Sequence, residues 1–434
     1  MKKTLFLGLM AGAMILAAKV PLSKAVVNAW KISPGLDSQR LEGDAASTAR
    51  LTALRQKYFS VYFSGSYRYS SDSVQLKFSD FPLKINTDIP PDAIILSTPN
   101  DSIDLKVSLA QPIYSGGILS NAVRMEAVRE AAERDLTRLK KLELAGKVKN
   151  SFFNHRLFCR KRDSLTLLLD ILMLHQGKLE NMFKEELVRK SDLLETRAKA
   201  DEIRLNLEDL EQLIRAEALN FSTLSGYDPG EIEDEAGAAE DSLTTAREFF
   251  LANHPLLRSL DEKARLIQLQ KKMIAGAYLP QVSAVAELHY GRPGQNFFVN
   301  KWIPYVAGGI NVSLPVFNWD KGGRDKSLTD FAARKLQNQR ADFVRESEKS
   351  LQQLFFSRES LEKKLALLDG LVANATEDAR LKEKLYAENQ IDHNDFLAAL
   401  SSQERYLSNR EELLAQVELL KVGIDTLVGK YEEE

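Results

Sequence analysis

Residues 183–226 read FKEELVRKSDLLETRAKADEIRLNLEDLEQLIRAEALNFSTLSG, and residues 386–429 read YAENQIDHNDFLAALSSQERYLSNREELLAQVELLKVGIDTLVG. Overlaid without a gap, they pair Phe183 with Tyr386, Glu185 with Glu388, Asp192 with Asp395, Leu194 with Leu397, Leu224 with Leu427 and Gly226 with Gly429. Every pair is separated by 203 residues (386 − 183). Phe152 and Phe153 carry the same offset upstream, to Phe355 and Phe356. A constant offset over this length marks an internal duplication. Within the first copy, Ala200, Leu207, Ile214 and Phe221 recur at every seventh residue, with Ile203 and Leu210 three further on. Leu400, Leu407 and Leu414 keep the same step in the second. That is a coiled-coil seam.

Outward from the repeats, composition narrows the classes. A chain of 434 residues with a formal charge of −2 has no overall basic field to attract nucleic acid. Its single cysteine, Cys159, permits no intrachain disulfide and sits in a helical pattern as a packed or lumen-side residue. The N-terminus reads as an export signal over residues 1–25: Lys2 and Lys3, an apolar run from Leu5 to Ala18, then the small-x-small site Ser23-Lys24-Ala25. The run is short for a transmembrane helix. No cysteine follows it to carry a lipid anchor, and the mature chain is expected to start near Val26.

The period changes along the rest. Residues 26 to 58 read as helix, broken at Pro34-Gly35. From Phe59 to Tyr69 the pattern alternates: Phe59, Val61, Phe63, Gly65, Tyr67 and Tyr69 on one face, Ser60, Tyr62, Ser64, Ser66 and Arg68 on the other. Residues 72 to 104, with Pro82, Pro90, Pro91 and Pro99, read as a long loop. A second strand alternates Leu105, Val107 and Leu109 with Lys106, Ser108 and Ala110, and ends at Gln111-Pro112-Ile113-Tyr114-Ser115-Gly116-Gly117. About sixty polar helical residues follow, on the order of 90 Å at ~1.5 Å each, with an interruption over residues 176 to 192 at Gly177 and Ser191-Asp192.

The acidic stretch from Asp228 to Asp241 reads as a connector, since it lacks the spacing of a calcium-binding loop. Repeat 1 thus covers 26–227, the connector 228–252 and repeat 2 253–434. The second repeat opens at His254-Pro255 with a helix to about Tyr278. A third strand carries Val282, Ala284, Ala286, Leu288 and Tyr290 on one face and Ser283, Glu287 and His289 on the other. A fourth carries Ile310, Val312 and Leu314 and closes at Pro315, with Gly322-Gly323 beyond. The junctions built from Pro112, Gly116 and Gly117, and from Pro315, Gly322 and Gly323, are expected to turn strand into helix.

In an exported chain, strands with one apolar face fit the lipid-facing wall of an outer membrane barrel. Four strands are too few to close one, and open edges are not tolerated in lipid. A water-soluble β-sandwich shows the same alternation, but the helices are too polar all round to cover a sheet face. If the strands sit in a membrane, several chains must share one barrel, with their long helices arrayed about the same axis.

The Gln111–Gly117 junction, its Pro315–Gly323 counterpart and the spacing of Tyr386, Asn389, Asp395 and Leu397 resemble the TolC-type outer membrane efflux proteins, over almost the whole mature chain. The resemblance implies an α+β membrane protein. Three chains, four strands each, would form a twelve-stranded β-barrel continued by a long periplasmic α-helical barrel. It implies a homotrimer in outer membrane lipid, acting as a passive exit duct for efflux or type I secretion, with a periplasmic adaptor and an inner membrane pump. It also implies a gate at the helix tips, carried onto Tyr386 and Asp395. Asn389 stands where the family has glycine, Ile391 where it has a locking arginine, and Ala398 where it has a second aspartate. Asp392 stands close by and is the candidate to substitute for it. By residue pattern alone, Asp395 equally fits a helix-start aspartate and Tyr386 a packing position. Trp302 and Trp319 suit membrane-interface belts.

His155, His175, His254, His289 and His393 show no metal-ligand spacing, and no cofactor motif or catalytic signature is present. The competing class is an exported coiled-coil spacer or adhesin without a pore.

Overall fold

A computed structural model of the chain describes residues 19–77, 90, 94–233, 242–388 and 390–430. In order, the elements are α1 (Leu22–Ile32), α2 (Pro34–Arg55), β1 (Ser60–Tyr69), β2 (Gln75–Lys77), β3 (Ile94–Ser97), β4 (Asp101–Ser115), α3 (Ile118–Lys184) and α4 (Lys190–Ser225). They continue with α5 (Leu243–Asn253), α6 (Pro255–Gly276), β5 (Gln281–Arg292), β6 (Ile303–Ser313), α7 (Lys321–Ala387) and α8 (His393–Val428).

The duplication is visible element by element. Helices α3 and α7 have 67 residues each, and α4 and α8 have 36 each. Their starts differ by 203 (321 − 118). The repeat also extends upstream at a second offset. Helices α1 and α5 have 11 residues each and α2 and α6 have 22 each, with starts differing by 221 (243 − 22). The strand pair of the first repeat, with its connection, is longer and absorbs the difference.

Repeat 2 therefore begins at α5, inside the segment expected to be connector. The connector's own start is also folded: Pro229–Glu231 form a 3-10 turn and Ile232 is buried. Residues 234–241 lie outside the described residues. The helical hairpin turns later than expected. Gly177 lies within α3, and the break falls between Lys184 and Lys190.

The chain divides into two compact units. The first takes residues 1–40, 135–258 and 340–434. Its helices are long and mostly polar, so their burial comes from narrow seams. At one seam Leu22, Ala25, Val26, Ala29 and Trp30 of α1 pack with Val148, Phe152 and Phe153 of α3 and with Phe221 of α4. Asn28 donates to the Ser225 carbonyl at 2.7 Å, and the Trp30 indole N–H to that of Lys141 at 3.0 Å. The related seam packs Ala246, Phe250 and Leu257 against Leu351, Ile424 and Val428. Ala25 and its counterpart Ala246 are both 0% exposed. Gly226 and Gly429 end α4 and α8 in the left-handed conformation, at φ 74° and 89°. One equivalence fails: Phe153 is 6% exposed and Phe356 67%.

Most of the expected export signal, residues 1–18, lies outside the described residues. Its last part belongs to this unit. Val20 pairs with the 3-10 turn, donating to the Glu231 carbonyl and accepting from the Glu233 N–H, each at 2.8 Å. Ser23, Lys24 and Ala25 lie inside α1.

The second unit takes residues 41–134 and 259–339. Its centre is one antiparallel sheet in the order β1-β4-β5-β6. Directly opposed residues share a face, so the register defines two surfaces. One carries the rows Phe63–Val107–Leu288–Val306 and Gly65–Leu105–Tyr290–Pro304. The other carries Ser64–Lys106–His289–Tyr305 and Tyr62–Ser108–Glu287–Ala307. The apolar face is bare: Phe63 is 71% exposed and Val306 76%. The stretch expected to be a long loop contains a ribbon of β2 and β3, and its last residues, Asp101–Asp104, already belong to β4. Residues 78–89 and 91–93 lie outside the described residues.

The two strand-to-helix junctions solve one problem in different ways. In repeat 1 a register shift follows Pro112, and Gly116 and Gly117 take φ 60° and 81°. Gly116 is also pressed against Gly276 at the end of α6: a Cβ on Gly116 would lie 2.2 Å from the Gly276 carbonyl oxygen. In repeat 2 Pro315 follows β6, but the left-handed residues are Trp319 (φ 44°) and Asp320 (φ 52°). This corrects the expectation for Gly322 and Gly323, which lie in the first turn of α7. They are small for space: a Cβ on Gly322 would meet the Tyr278 ring at 2.5 Å, and one on Gly323 the Asp320 carboxylate at 2.5 Å.

Gly116→Ala should therefore cost at least about 1–2 kcal/mol, from the left-handed backbone and the clash. Gly43→Ala, in α2 with nothing within 4 Å of the new Cβ, should instead raise stability by about 0.4–1 kcal/mol. Thermal melting of the two purified variants checks both signs.

Candidate functional site

The residues assigned to the gate lie where α7 turns into α8. Helix α7 closes with the Glu388 N–H on the Lys384 carbonyl at 3.0 Å and the Gln390 N–H on that of Leu385 at 2.8 Å. Asp392 is the N-cap of α8 in extended backbone, and its carbonyl accepts the Asp395 N–H at 3.2 Å. Asn389 is outside the described residues. Its counterpart in the first hairpin, Glu186, has φ 58°, a left-handed turn on a non-glycine residue.

The three assigned residues separate into two environments. Asp392 at the N-cap and Asp395 in the first turn of α8 are both exposed. Among the described residues neither carboxylate has an ion-pair partner. Their charge is favoured at a helix N-terminus, where backbone N–H groups point outward. Tyr386 is half-buried, stacked on Phe396 with ring centroids 5.6 Å apart and 10° between planes. Burial and the nearby Asp192 carboxylate raise the Tyr386 phenol above its ordinary range. The packing alternative thus describes the local position of Tyr386.

Tyr386 belongs to a cluster that joins both hairpins. Leu165, Leu168 and Leu172 of α3 and Ile203 of α4 pack with Ala379 of α7 and with Phe396, Ala399 and Leu400 of α8. Ile391, at the position of the family's locking arginine, packs against the same cluster. At its end His175 of α3 and His393 of α8 stack with centroids 5.1 Å apart and lie 3.2 Å apart, Nε2 to Nδ1. His393 Nε2 is 2.9 Å from the Thr196 hydroxyl of α4. Burial lowers both histidines, His175 to about 4. Sequence reading treats these histidines as scattered. They are 218 residues apart and occupy unrelated positions in the two repeats, so neither spacing nor the repeat offset links them.

A second polar constellation lies on the charged face of the sheet. Lys106 Nζ is 3.0 Å from Glu287. His289 reaches Asp104 through Nδ1 at 3.1 Å and Glu287 through Nε2 at 3.2 Å, and stacks on Tyr305. Arg292 pairs with Asp101. Such a face suits water, as the opposite face suits hydrocarbon. Trp302 stacks on Tyr290 at the edge of the apolar rows, whereas Trp319 stands 78% exposed beside Phe317. No group of three or more His, Cys, Asp or Glu able to hold a metal occurs among the described residues.

No protein-family profile matches the chain, and no curated protein matches it in sequence. Solved structures match it closely in fold. The outer membrane protein VceC of Vibrio cholerae superposes with a TM-score of 0.74 at 14% identity, over 94% of this chain and 96% of that one. CusC, a protein studied for folding and transmembrane channel formation, gives 0.76 at 13%, over 95% and 93%. The CmeC outer membrane channel of Campylobacter jejuni gives 0.75 at 13%, over 94% and 85%. At such identities the property shared is the fold. From its paired hairpins to its four-stranded sheet, this chain is built on the fold of the outer membrane channels, as its TolC-type resemblance implies.

Proposed function

We propose that the chain is the passive outer membrane exit duct of a tripartite efflux pump or type I secretion system. One observation carries this reading: a four-stranded sheet has one bare apolar face, one charged face and two unpaired edges, in a fold shared with outer membrane channels. Unpaired backbone groups in lipid cost several kcal/mol each. Three copies remove every edge if β1 of one pairs with β6 of the next, giving twelve strands. The charged face then lines a wet lumen and the apolar face meets lipid. Among the described residues no helix is long and apolar enough to cross a membrane. The long helices accordingly continue the tube in the periplasm, where an adaptor joins it to an energised inner membrane pump. The duct itself supplies no energy.

We place the gate at the α7–α8 turn. Asp392 and Asp395 are its charged rim, and threefold symmetry would gather their charges around one axis. Tyr386 holds α7 against α8. Opening is an outward movement of the helix tips.

Export of the chain requires a signal, which residues 1–18 supply. Cleavage after Ala25 would remove Val20, Leu22 and Ala25 from a packed seam, so processing falls ahead of Val20.

Purified protein in a planar bilayer should give small cation-selective currents. Asp395→Ala should reduce that selectivity while changing stability by less than about 0.5 kcal/mol, as expected for an exposed site. A folded oligomer without channel activity would favour the spacer reading. Unheated samples should migrate differently from boiled ones on a denaturing gel. N-terminal sequencing of the exported chain should begin at or before Val20; a start at Val26 would refute the processing site.

A further inference from the structure

The His175–His393 contact has a determinate proton pattern. Thr196 Oγ donates its one proton to the Asp192 carbonyl at 2.9 Å. It therefore accepts from His393 Nε2–H, which leaves Nδ1 of a neutral His393 as an acceptor. His175 Nε2–H then donates to it across 3.2 Å. The chain from His175 to His393, Thr196 and Asp192 is satisfied throughout with both rings neutral, and it ties α8 to both helices of the other hairpin. A proton on His393 Nδ1 faces His175 Nε2–H unless His175 shifts its own proton to Nδ1, and with both rings charged two hydrogens oppose each other across the contact. Two charged rings stacked 5.1 Å apart against Phe396 and Tyr386 would also repel each other in an apolar cluster.

We propose that His175 and His393 form a pH-sensitive clasp, which holds the two helical hairpins together at their tips near neutral pH and releases them on acidification. The charged groups facing the pair come from every helix around it. Lys178 on α3 disfavours a charge on His175. Asp192 and Glu195 on α4 favour one on His393 and soften the effect of its burial. Tyr386 on α7 contributes a phenol that stays protonated. Burial outweighs the carboxylates, and both rings are held below the ordinary histidine range.

The sign follows from linkage. The clasped form binds fewer protons than a form whose rings reach water, where histidine titrates near ~6.5. Clasping is therefore fully favoured above that value and weakens as pH falls toward about 4. At pH 5, between these two values, protonation of the pair already favours the released form. That release opens a pore rests on the duct reading; that it separates the hairpins does not.

The test uses spin labels on exposed positions of the two hairpins, Lys184→Cys and Ala398→Cys, in a Cys159→Ser background. Label separation in the purified oligomer should lengthen between pH 7.5 and 4.5. In H175Q/H393Q it should show no pH-dependent change, while carboxylates at the tips titrate in both proteins alike. Should the double variant fail to melt cooperatively at pH 7.5, H175Q alone, which removes the more strongly depressed histidine, should lengthen less than the parent. An unchanged separation in the parent, or an equal lengthening in the glutamine variants, would overturn the clasp. Bilayer conductance on the same samples separates the two readings. Lengthening without current at any pH would keep the clasp and remove the duct, whereas pH-independent current with fixed separation would remove the clasp and keep the duct.

Discussion

Four antiparallel strands with one apolar face leave a problem that a single copy of this chain does not solve. The rows through Phe63, Val107, Leu288 and Val306 are bare, and β1 and β6 each have an edge with no partner in the sheet. Water solvates the edges but not the apolar rows; hydrocarbon solvates the rows but not the edges. Closure with further copies in a membrane satisfies both demands. Much else follows from that requirement, including strands of 10 to 15 residues and the concentration of charge on the opposite face.

The duplication supplies the rest economically. Each repeat contributes two strands, one 67-residue helix, one 36-residue helix and a capping pair of 11 and 22 residues. The helices are too polar for a broad core, so each hairpin is pinned where a short helix lays its apolar face across it. Ala25 and Ala246 are fully buried at equivalent points because any larger side chain there would push the short helix away. The copies diverge at the strand connections, the junction glycines and the hairpin turns.

The hairpin tips concentrate the chemistry. The exposed carboxylates at the start of α8 alternate in sequence with His393 and Phe396, members of an aromatic and imidazole cluster that binds one hairpin to the other. The arrangement separates two tasks: Asp392 and Asp395 face solvent, while Tyr386, Phe396, His175 and His393 provide cohesion.

The amino-acid sequence by itself determined the duplication, the strand faces, the seven-residue seams and the helix-start position of Asp395, because these depend on periodicity and local polarity. Phe221 and Ile203 were legible as buried from spacing alone. Tertiary structure decided what spacing does not encode. The upstream half of the repeat, at an offset of 221, was hidden by a connection of different length in each copy. The left-handed turn at Trp319 and Asp320 was masked by the nearby Gly322 and Gly323, which lie in the first turn of α7 instead. Ser23 to Ala25 looked like a cleavage site but lie within a helix whose partners, such as Phe221, are distant in sequence. The His175–His393 contact lay furthest from reach, since only the packing of two hairpins brings together residues with no common register.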